Sequence, residues 1–320
     1  MMKTNISEYH INYKNDKQIP RLEVKGDLPV LRSPLLANED GIISLYTTRL
    51  GGVSTGDQAS LNLFHKLETN PENIRTNFEL VAQALETEAS RLVGGDQTHT
   101  NIVRVVDASD AGHNVTKPKS FFDVDALVTS DTSITLFVTT ADCVPILFYD
   151  PVKRVVGAAH SGWKGTCNGI AAKVIECMRD DFGSNPAHVL ASIGPSICRD
   201  CYEVSADLYE AFSNSGYYTK QEVEDIFKKK YIDETSSKTA SAGVSGGPVV
   251  SAASEVSADS EVKYQLDLWK ANEYVLLNCG VLREHIETTC LCTCCNPDVL
   301  FSHRASHGRS GGLGAFIRLR

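Results

Sequence analysis

Short apolar segments dominate the middle of the chain. From Leu92 onward, five runs are rich in β-branched and aromatic residues and are separated by polar turns: IVRVVD, DALVTS, ITLFVTT, VPILFYD and RVVGAAH. Those residue types favour strands, so the runs predict several adjacent strands in one sheet. ITLFV and VVGAA are continuously apolar, which indicates strands covered on both faces. We therefore expect this sheet to lie between other layers.

Three further segments have strand character. IISLYTT (42–48) runs into the turn signal Gly51-Gly52, HVLASIG (188–194) ends at Gly194-Pro195, and GAFIRLR closes the chain. Glycine and proline are the strongest local terminators of regular structure, so each boundary is marked in the sequence itself.

Apolar residues spaced by three or four positions predict helices. The clearest case covers residues 71–89, where Ile74, Phe78 and Val81 lie on one face after the start signal Asn70-Pro71. The same spacing predicts helices over three other ranges: 165–181, 205–212 and 264–279, the last followed by Gly280 at the position of a C-cap.

Composition indicates one globular domain with two unusual segments. Hydrophobic residues make up 42% of the 320 residues and charged residues 22%, which is ordinary globular usage. Residues 1–40 are interpreted as a variable N-terminal segment. Residues 234–262 are small and polar and cannot bury enough surface to offset their ordering entropy, so they predict a disordered or mobile insertion. The remainder of 41–320 is expected to form the catalytic domain.

The charge balance and the cysteine content narrow the function classes. Lys and Arg number 31 against 40 Asp and Glu, giving a formal charge of −9, which disfavours nucleic acid as a partner. No apolar run approaches the length of a membrane span and the N-terminus has no secretory h-region, so we expect a soluble, cytoplasmic protein with no membrane partner. Ten cysteines in such a protein are expected to be thiols or metal ligands.

Three residues at the edges of predicted strands are candidate metal ligands or nucleophiles. They are His99 in DQTHT, Cys143 in TADCVP and His160 in AAHSGWKGT. Three protein ligands leave one tetrahedral position open, as in catalytic zinc sites. Taken singly, a His or Cys is more often a core thiol or a hydrogen-bonded histidine than a ligand.

Three basic residues are candidates for binding an anionic part of a substrate. Lys164 lies in GWKGT, between a strand and a helix, where exposed backbone N–H groups favour an anion. Arg304 in FSHRASHGRSGG and Arg49 in TRLGGVS precede glycine-rich turns. The alternative is a plain strand-to-helix turn anchored by Trp163 and solvated basic loops.

The cysteines also suggest a second metal site. CRDC contributes Cys198 and Cys201, and CLCTCC contributes a second CxxC only if Cys292 is taken with Cys295. Two CxxC pairs could form a structural zinc site.

Nine motifs, in order, resemble the YfiH/YlmD family, whose members are also called multicopper polyphenol oxidases or laccase-domain proteins. They are TRLGGVS, SLNL, DQTHT, DALVT, TADCVPILF, AAHSGWKGT, SIGPSI, YEV and FSHR with GLGAFIRL. The resemblance implies a single α/β domain with a central β-sandwich flanked by helices. It also implies a zinc ion held by His99, Cys143 and His160. The chain departs from the family pattern at Thr100, at Thr166 and in the SHR element.

The resemblance implies a purine nucleoside phosphorylase that splits adenosine, inosine, guanosine and methylthioadenosine with phosphate and also deaminates adenosine. Its partners are then purine nucleosides and phosphate, and Arg49, Lys164 and Arg304 are the candidates for binding them. Alternatives are a hydrolase that edits peptidoglycan precursors with Cys143 as nucleophile, and a copper-dependent polyphenol oxidase. A copper oxidase needs many clustered histidines, and nine scattered ones make that set difficult to assemble. A non-catalytic zinc protein whose insertion recruits a partner is the remaining alternative.

Overall fold

The computed structural model describes residues 6–17, 19–66, 68–230 and 262–320. Within these ranges the chain forms strands β1 (Arg21–Lys25), β2 (Leu28–Arg32), β3 (Ile42–Thr47), β4 (Leu92–Gly94), β5 (Val103–Val105), β6 (Ala126–Thr129), β7 (Thr135–Thr140), β8 (Val144–Asp150), β9 (Val155–Ser161), β10 (Leu190–Ile193), β11 (Glu203–Ser205), β12 (Phe227–Lys230), β13 (Lys263–Leu266), β14 (Ile286–Thr288) and β15 (Leu313–Leu319). The helices are α1 (Pro34–Ala37), α2 (Pro71–Ala84), α3 (Trp163–Cys167), α4 (Ile170–Phe182), α5 (Ala206–Asn214), α6 (Lys220–Ile226) and α7 (Leu268–Asn278).

Two six-stranded sheets form the centre of the fold. The first has the order β1-β2-β3-β15-β7-β4 and the second the order β14-β10-β8-β9-β6-β5. Most neighbours are antiparallel, and the pairs β4/β7, β5/β6 and β10/β14 are parallel.

The two sheets pack face to face around a shared apolar core. Leu136, Val138 and Ile317 of the first sheet belong to the same buried cluster as Leu147 and Val156 of the second. Alternate residues of each strand point to opposite faces, so the other set of side chains faces outward. The predicted β-sandwich is confirmed.

Helices cover both outer faces of the sandwich. On the first sheet, Phe78 of α2 packs against Phe137, with ring centroids 5.2 Å apart. On the second sheet, Val174 and Met178 of α4 share a buried cluster with Phe148, and α7 joins the same cluster. The layers therefore follow the order helix, sheet, sheet, helix, and the shared clusters bind them into a single domain.

A third, three-stranded sheet (β11-β13-β12) lies beside α5 and α6. Strands β12 and β13 pair in antiparallel fashion, with Lys230 opposite Lys263. The segment between them holds the insertion expected at 234–262, which falls outside the described residues except for residue 262.

The structure corrects one expectation about the sheets. The five central runs all form strands, but β7 belongs to the first sheet and the other four belong to the second. Continuous apolar character shows that a strand is covered on both faces and does not show which sheet it joins. The chain changes sheets in the three-residue turn between Thr140 and Val144.

Three helix boundaries also differ from the sequence pattern. Helix α2 stops at Ala84 because Glu86 takes a left-handed conformation, with φ of 56°. The helix expected over 165–181 is divided in two at Gly169, whose φ is 68°. Helix α7 starts only after Asp267, whose carboxylate accepts the backbone N–H of Lys270, since 263–266 is strand β13.

Two strands precede residue 41. Strands β1 and β2 continue the first sheet beyond β3, with Leu31 opposite Tyr46. The boundary placed at residue 41 stays a prediction. None of the described helices is long and apolar enough to span a membrane.

Candidate active site

The candidate site lies where the chain passes between the two sheets. His99 lies in the connection from β4 of the first sheet to β5 of the second, and Cys143 lies in the turn from β7 to β8. His160 lies on β9, opposite Pro145 of β8. Two crossings of the sandwich at the same end therefore bring together residues that are far apart in sequence.

The three side chains converge closely enough to share one ligand. One donor atom from each residue lies within 4.8 Å of the other two. The Cys143 Sγ is 3.9 Å from the His99 Nε2, and the two imidazole rings meet edge to face with centroids 4.9 Å apart. His160 is buried, Cys143 is half-buried and His99 is exposed. The set is therefore anchored in the protein on one side and open on the other.

Asp125 holds both histidines in position. Its carboxylate accepts a hydrogen bond from Nδ1 of His160 at 2.7 Å. It also accepts the backbone N–H groups of Thr98, His99 and Thr100 at 3.2, 3.1 and 2.7 Å. The carboxylate thus fixes the His160 tautomer and leaves Nε2 for a ligand. The same carboxylate orders the loop that carries His99, whose φ is 67°.

Two neighbours complete the frame. The Gln97 side chain clamps the His99 loop to β7, donating to the Thr139 carbonyl at 2.7 Å and accepting the Thr139 N–H at 2.8 Å. Gly162 leaves the space the three ligands need, because a Cβ there would lie 2.8 Å from the His99 ring and 3.1 Å from the Cys143 Sγ. Any other residue at 162 would fill the site.

The electrostatics favour an ionised cysteine beside a protonated histidine. Burial has the largest effect on Cys143 and would raise its pKa, yet the charge of His160 and hydrogen bonds from both histidines together lower that pKa to about 6. Burial likewise opposes the charge on His160, but Cys143 and Asp125 raise its pKa to about 9. In the absence of a metal the pair is therefore a thiolate and an imidazolium near neutral pH.

The donor set fits a catalytic zinc ion. Imidazole nitrogen and thiolate sulfur are preferred zinc ligands, and the buried carboxylate behind His160 matches the usual support of a zinc-bound histidine. Three ligands leave a fourth position on the exposed side. The structure brings together all three residues that the resemblance implied.

A cavity of about 760 Å³ opens above the three residues. Its walls combine aromatic side chains, basic side chains and a few acids. The aromatic members are Phe64, Trp163 and Tyr202; the basic members, counting histidines outside the ligand set, are His65, Lys66, Lys119, His303 and Arg304; the acids are Asp96 and Asp142. Such a mixed cavity of this size suits a small polar molecule with a flat ring.

The three predicted anion ligands lie in different places. Arg304 lines the cavity, where its guanidinium lies over the Tyr202 ring and donates to the Cys201 carbonyl at 2.9 Å. Arg49 does not line it: its guanidinium donates to the carbonyls of Ala59 and Pro297.

Lys164 is exposed at the start of α3 and lies outside the cavity lining, with its Nζ 5.6 Å from the Trp163 ring centroid. Trp163 itself packs against the core and also faces the cavity. The strand-to-helix turn therefore contributes the Trp163 ring to the cavity, and Lys164 stays outside it.

Several residues of the site and its cavity carry no clear signal in the sequence. Asp125 lies inside the DALVT motif, but an acid directly before a buried strand does not by itself indicate a functional role. Lys66 and Lys119 lie in polar loops without a recognisable pattern. Lys119 forms an ion pair with Asp96, which keeps the pKa of that carboxyl below its usual value.

A second cluster lies beside the cavity wall. The sulfurs of Cys198, Cys201, Cys292 and Cys295 all lie within 4.8 Å of one another. The two pairs named in the sequence thus meet in space, with Cys292 and Cys295 as the second CxxC.

Comparison with known proteins assigns the chain to a family. The family model described as "Multi-copper polyphenol oxidoreductase laccase" matches residues 43–320. "Purine nucleoside phosphorylase YlmD" of Bacillus subtilis is 31% identical over 284 residues, 88% of this chain and 90% of that protein. "Purine nucleoside phosphorylase" of Bacteroides thetaiotaomicron is 30% identical over 293 residues, covering 91% and 97%.

Solved structures agree with this assignment. The crystal structure of the Bacillus licheniformis hypothetical protein YfiH superposes with a TM-score of 0.77 at 29% identity, covering 94% of this chain and 98% of that one. YlmD from Geobacillus stearothermophilus gives 0.76 at 28% identity, covering 93% and 98%. The chain belongs to the multi-copper polyphenol oxidoreductase laccase family, the group of YfiH and YlmD proteins that its motifs resemble.

Proposed function

We propose that the protein is a zinc-dependent purine nucleoside phosphorylase that also deaminates adenosine. The observation that carries the proposal is the convergence of His99, Cys143 and His160 beneath a cavity of about 760 Å³. The names of the relatives support the phosphorylase part of the proposal. The substrates are adenosine, inosine, guanosine and methylthioadenosine, each with phosphate.

His99, Cys143 and His160 would hold the zinc ion. When bound, the ion would supply a Lewis acid with one open position. Asp125 keeps His160 in the tautomer that binds the ion through Nε2 and orders the backbone around His99. Tight positioning of this kind lets the site act without reorganising during the reaction.

The cavity walls would bind the two substrates. The rings of Phe64, Trp163 and Tyr202 provide apolar surface for a purine. Lys66 and Arg304 are exposed, also line the cavity and would attract phosphate, and Arg304 has donors beyond those it gives to backbone carbonyls. We do not assign phosphate contacts to Arg49 or Lys164.

Asp142 offers a fixed acceptor beside Cys143. Its two carboxylate oxygens accept the Thr293 hydroxyl at 2.6 Å and the Arg304 backbone N–H at 2.7 Å. A carboxylate held in this way can accept a hydrogen bond from a ribose hydroxyl or a base N–H. Phosphorolysis then breaks the C–N glycosidic bond and forms a C–O bond to phosphate, releasing free base and pentose 1-phosphate.

The test is a chromatographic assay of purified, metal-analysed protein. Adenosine or inosine is incubated with and without phosphate, and free base, ribose 1-phosphate and deaminated product are quantified. We expect base release that depends on phosphate, and inosine formed from adenosine without it. Zinc-loaded protein that forms neither product would refute the proposal.

A second candidate is a hydrolase with Cys143 as nucleophile, acting on a peptidoglycan precursor. The observation that favours it is a chain of three interacting groups: the Cys143 thiol, the His160 imidazole and the Asp125 carboxylate. Within this chain the pKa of the thiol is lowered to about 6. In metal-free protein, substrate turnover with a covalent adduct on Cys143 would support this candidate. Activity that requires zinc and leaves no adduct would support the phosphorylase.

Copper-dependent polyphenol oxidation fits the described residues less well. Of the two candidate metal groups in the described ranges, one contains two histidines and the other contains only cysteines. A set of several copper centres requires more clustered imidazoles than these.

A further inference from the structure

We propose that Cys198, Cys201, Cys292 and Cys295 bind a second zinc ion, which has a structural role. This site is separate from the three-residue site in the cavity and does not depend on the proposed reaction. It would be a closed site, with all four tetrahedral positions taken by thiolates.

The spacing of the four sulfurs matches this geometry. A tetrahedron with Zn–S bonds of about 2.3 Å places its sulfurs about 3.8 Å apart. The four Sγ atoms lie within 4.8 Å of one another, and those of Cys201 and Cys295 are 3.5 Å apart. A disulfide would require about 2.05 Å, and all four cysteines are free thiols in this structure. A small inward shift of the side chains around an ion is therefore sufficient.

The backbone around the sulfurs is already arranged as two facing CxxC turns. Cys198 immediately precedes the helical turn Arg199–Cys201, and its N–H donates to the Cys292 Sγ at 3.3 Å. The second turn is held parallel to the first by a bridge between Ser196 and Cys292. The two turns therefore bring the four sulfurs together.

The cluster is more buried on one side than on the other. Cys198 is 4% exposed and Cys292 is fully buried, while Cys201 and Cys295 are half-buried. With four ligands, an ion held here would have no position open to a substrate. Four thiolates around zinc carry two net negative charges. The backbone N–H of Lys14 donates to the Cys290 carbonyl at 3.2 Å, so a positively charged residue lies beside the segment that carries Cys292 and Cys295.

The site would stabilise one wall of the cavity. Ile197, next to Cys198, donates its N–H to the Asp142 carbonyl at 3.1 Å, and Thr293, next to Cys292, bonds the Asp142 carboxylate. The Arg304 guanidinium donates to the Cys201 carbonyl. A zinc ion joining the two turns would therefore fix Asp142 and Arg304 relative to each other without touching a substrate.

The experiment counts metal in the full-length protein, purified anaerobically with zinc supplied. We expect two zinc ions per chain in the unaltered protein and one in Cys143→Ala. We expect one also in the double variant C201S/C295S. Cys294→Ser is the matched control, because Cys294 is adjacent in sequence and outside the cluster, and it should retain two.

Cobalt substitution provides a test that does not depend on the cluster variants folding. Cys143→Ala loaded with Co²⁺ should show sulfur-to-cobalt charge-transfer absorption from a tetrahedral thiolate site. The proposal would be overturned if Cys143→Ala stayed free of metal after zinc was supplied and its four cluster thiols reacted freely. A mass deficit of two hydrogens per cysteine pair, which indicates disulfides, would also overturn it. Neither of these results would depend on nucleoside turnover, so the proposed function is tested separately.

Discussion

The two clusters of potential metal ligands differ in the chain elements that carry them and in how far they are open to the cavity. At the cavity site, ligands come from two crossings between the sheets and from β9, and they include two histidines, one of them exposed. In the four-cysteine cluster, the ligands come from two CxxC turns and two of the four are buried. With a metal bound, the first arrangement would leave a coordination position facing the cavity, whereas the second would fill every position.

The difference lies in the supporting residues as much as in the ligands. The cavity site has a buried carboxylate, Asp125, that orients an imidazole. The cysteine cluster has a backbone N–H directed at a sulfur. A catalytic metal site needs ligands held in a fixed orientation and one open coordination position. A structural site that joins two loops needs every coordination position filled by the protein. The same region of the fold can therefore carry both a reactive site and a second site that stabilises the cavity wall.

The largest expected effect separates the two sites by activity. Cys143→Ala should lower kcat/KM for phosphorolysis at least about a thousandfold, which is about 4 kcal/mol, because a Lewis acid contributes several kcal/mol to the barrier. The measurement is phosphate-dependent release of base. Cys177→Ser, a half-exposed cysteine on α4 outside the cavity, is the matched control and should keep full activity. Full activity in Cys143→Ala would contradict the assignment.

The second prediction separates them by stability. Cys201→Ser should lower the free energy of unfolding by about 3 kcal/mol, since loss of a structural metal is among the large single effects. For a chain of this length the melting temperature should then fall by about 4 to 5 °C. Differential scanning calorimetry of zinc-loaded proteins measures this, with Cys294→Ser as control. If Cys143→Ala were less stable than Cys201→Ser, the roles assigned to the two sites would be reversed.

The two regions also differ in how far the sequence could predict them. Eight of the fifteen described strands, and α2, follow from residue type and periodicity, because burial on one or both faces leaves a pattern along the chain. Which sheet β7 joins does not follow, since that depends on a three-residue turn near Cys143. The convergence of His99, Cys143 and His160 came from resemblance, because two sheet crossings produce it.

The polar support around the site was the least predictable part. Asp125 precedes a buried strand like many other acids, and only the fold shows that it reaches His160 and three backbone N–H groups. Positive charge and neighbouring glycines predict Arg49 and Lys164 as anion ligands. A long side chain, however, is directed by whichever acceptors lie near it, and for Arg49 these are the carbonyls of Ala59 and Pro297.

The third prediction concerns this support. Asp125→Asn should weaken zinc binding at the cavity site by about 10- to 100-fold, the usual effect of losing a carboxylate behind a histidine ligand. Competition with a chromophoric chelator measures the affinity. Asp123→Asn is the control, because that exposed carboxylate bonds the Thr98 hydroxyl and contacts neither histidine. Equal affinity in the two variants would show that Asp125 does not orient His160.

The smallest expected effect tests the charge state of the cavity site in metal-free protein. With its pKa at about 6, Cys143 should hold about 90-fold more thiolate at pH 7 than a thiol of pKa 9. Its lower basicity makes that thiolate about 15- to 30-fold less nucleophilic, so alkylation by iodoacetamide should be only about three- to sixfold faster. Peptide mapping by mass spectrometry follows Cys143 separately from the other cysteines.

The pH profile gives the sign of this effect. The depressed pKa of Cys143 means that its thiolate is present above about pH 6 and is lost as the pH falls through that value. His160→Asn removes the largest of the influences that lower this pKa. If the pKa returns to about 9, alkylation at pH 7 should slow by about three- to sixfold and become faster than in the unaltered protein only above about pH 7.5 to 8. His65→Asn alters another histidine of the same cavity and should leave the profile unchanged. Because a merely structural role for His160 would change the rate without moving the midpoint of the profile, an unmoved midpoint in His160→Asn would contradict the thiolate–imidazolium pair.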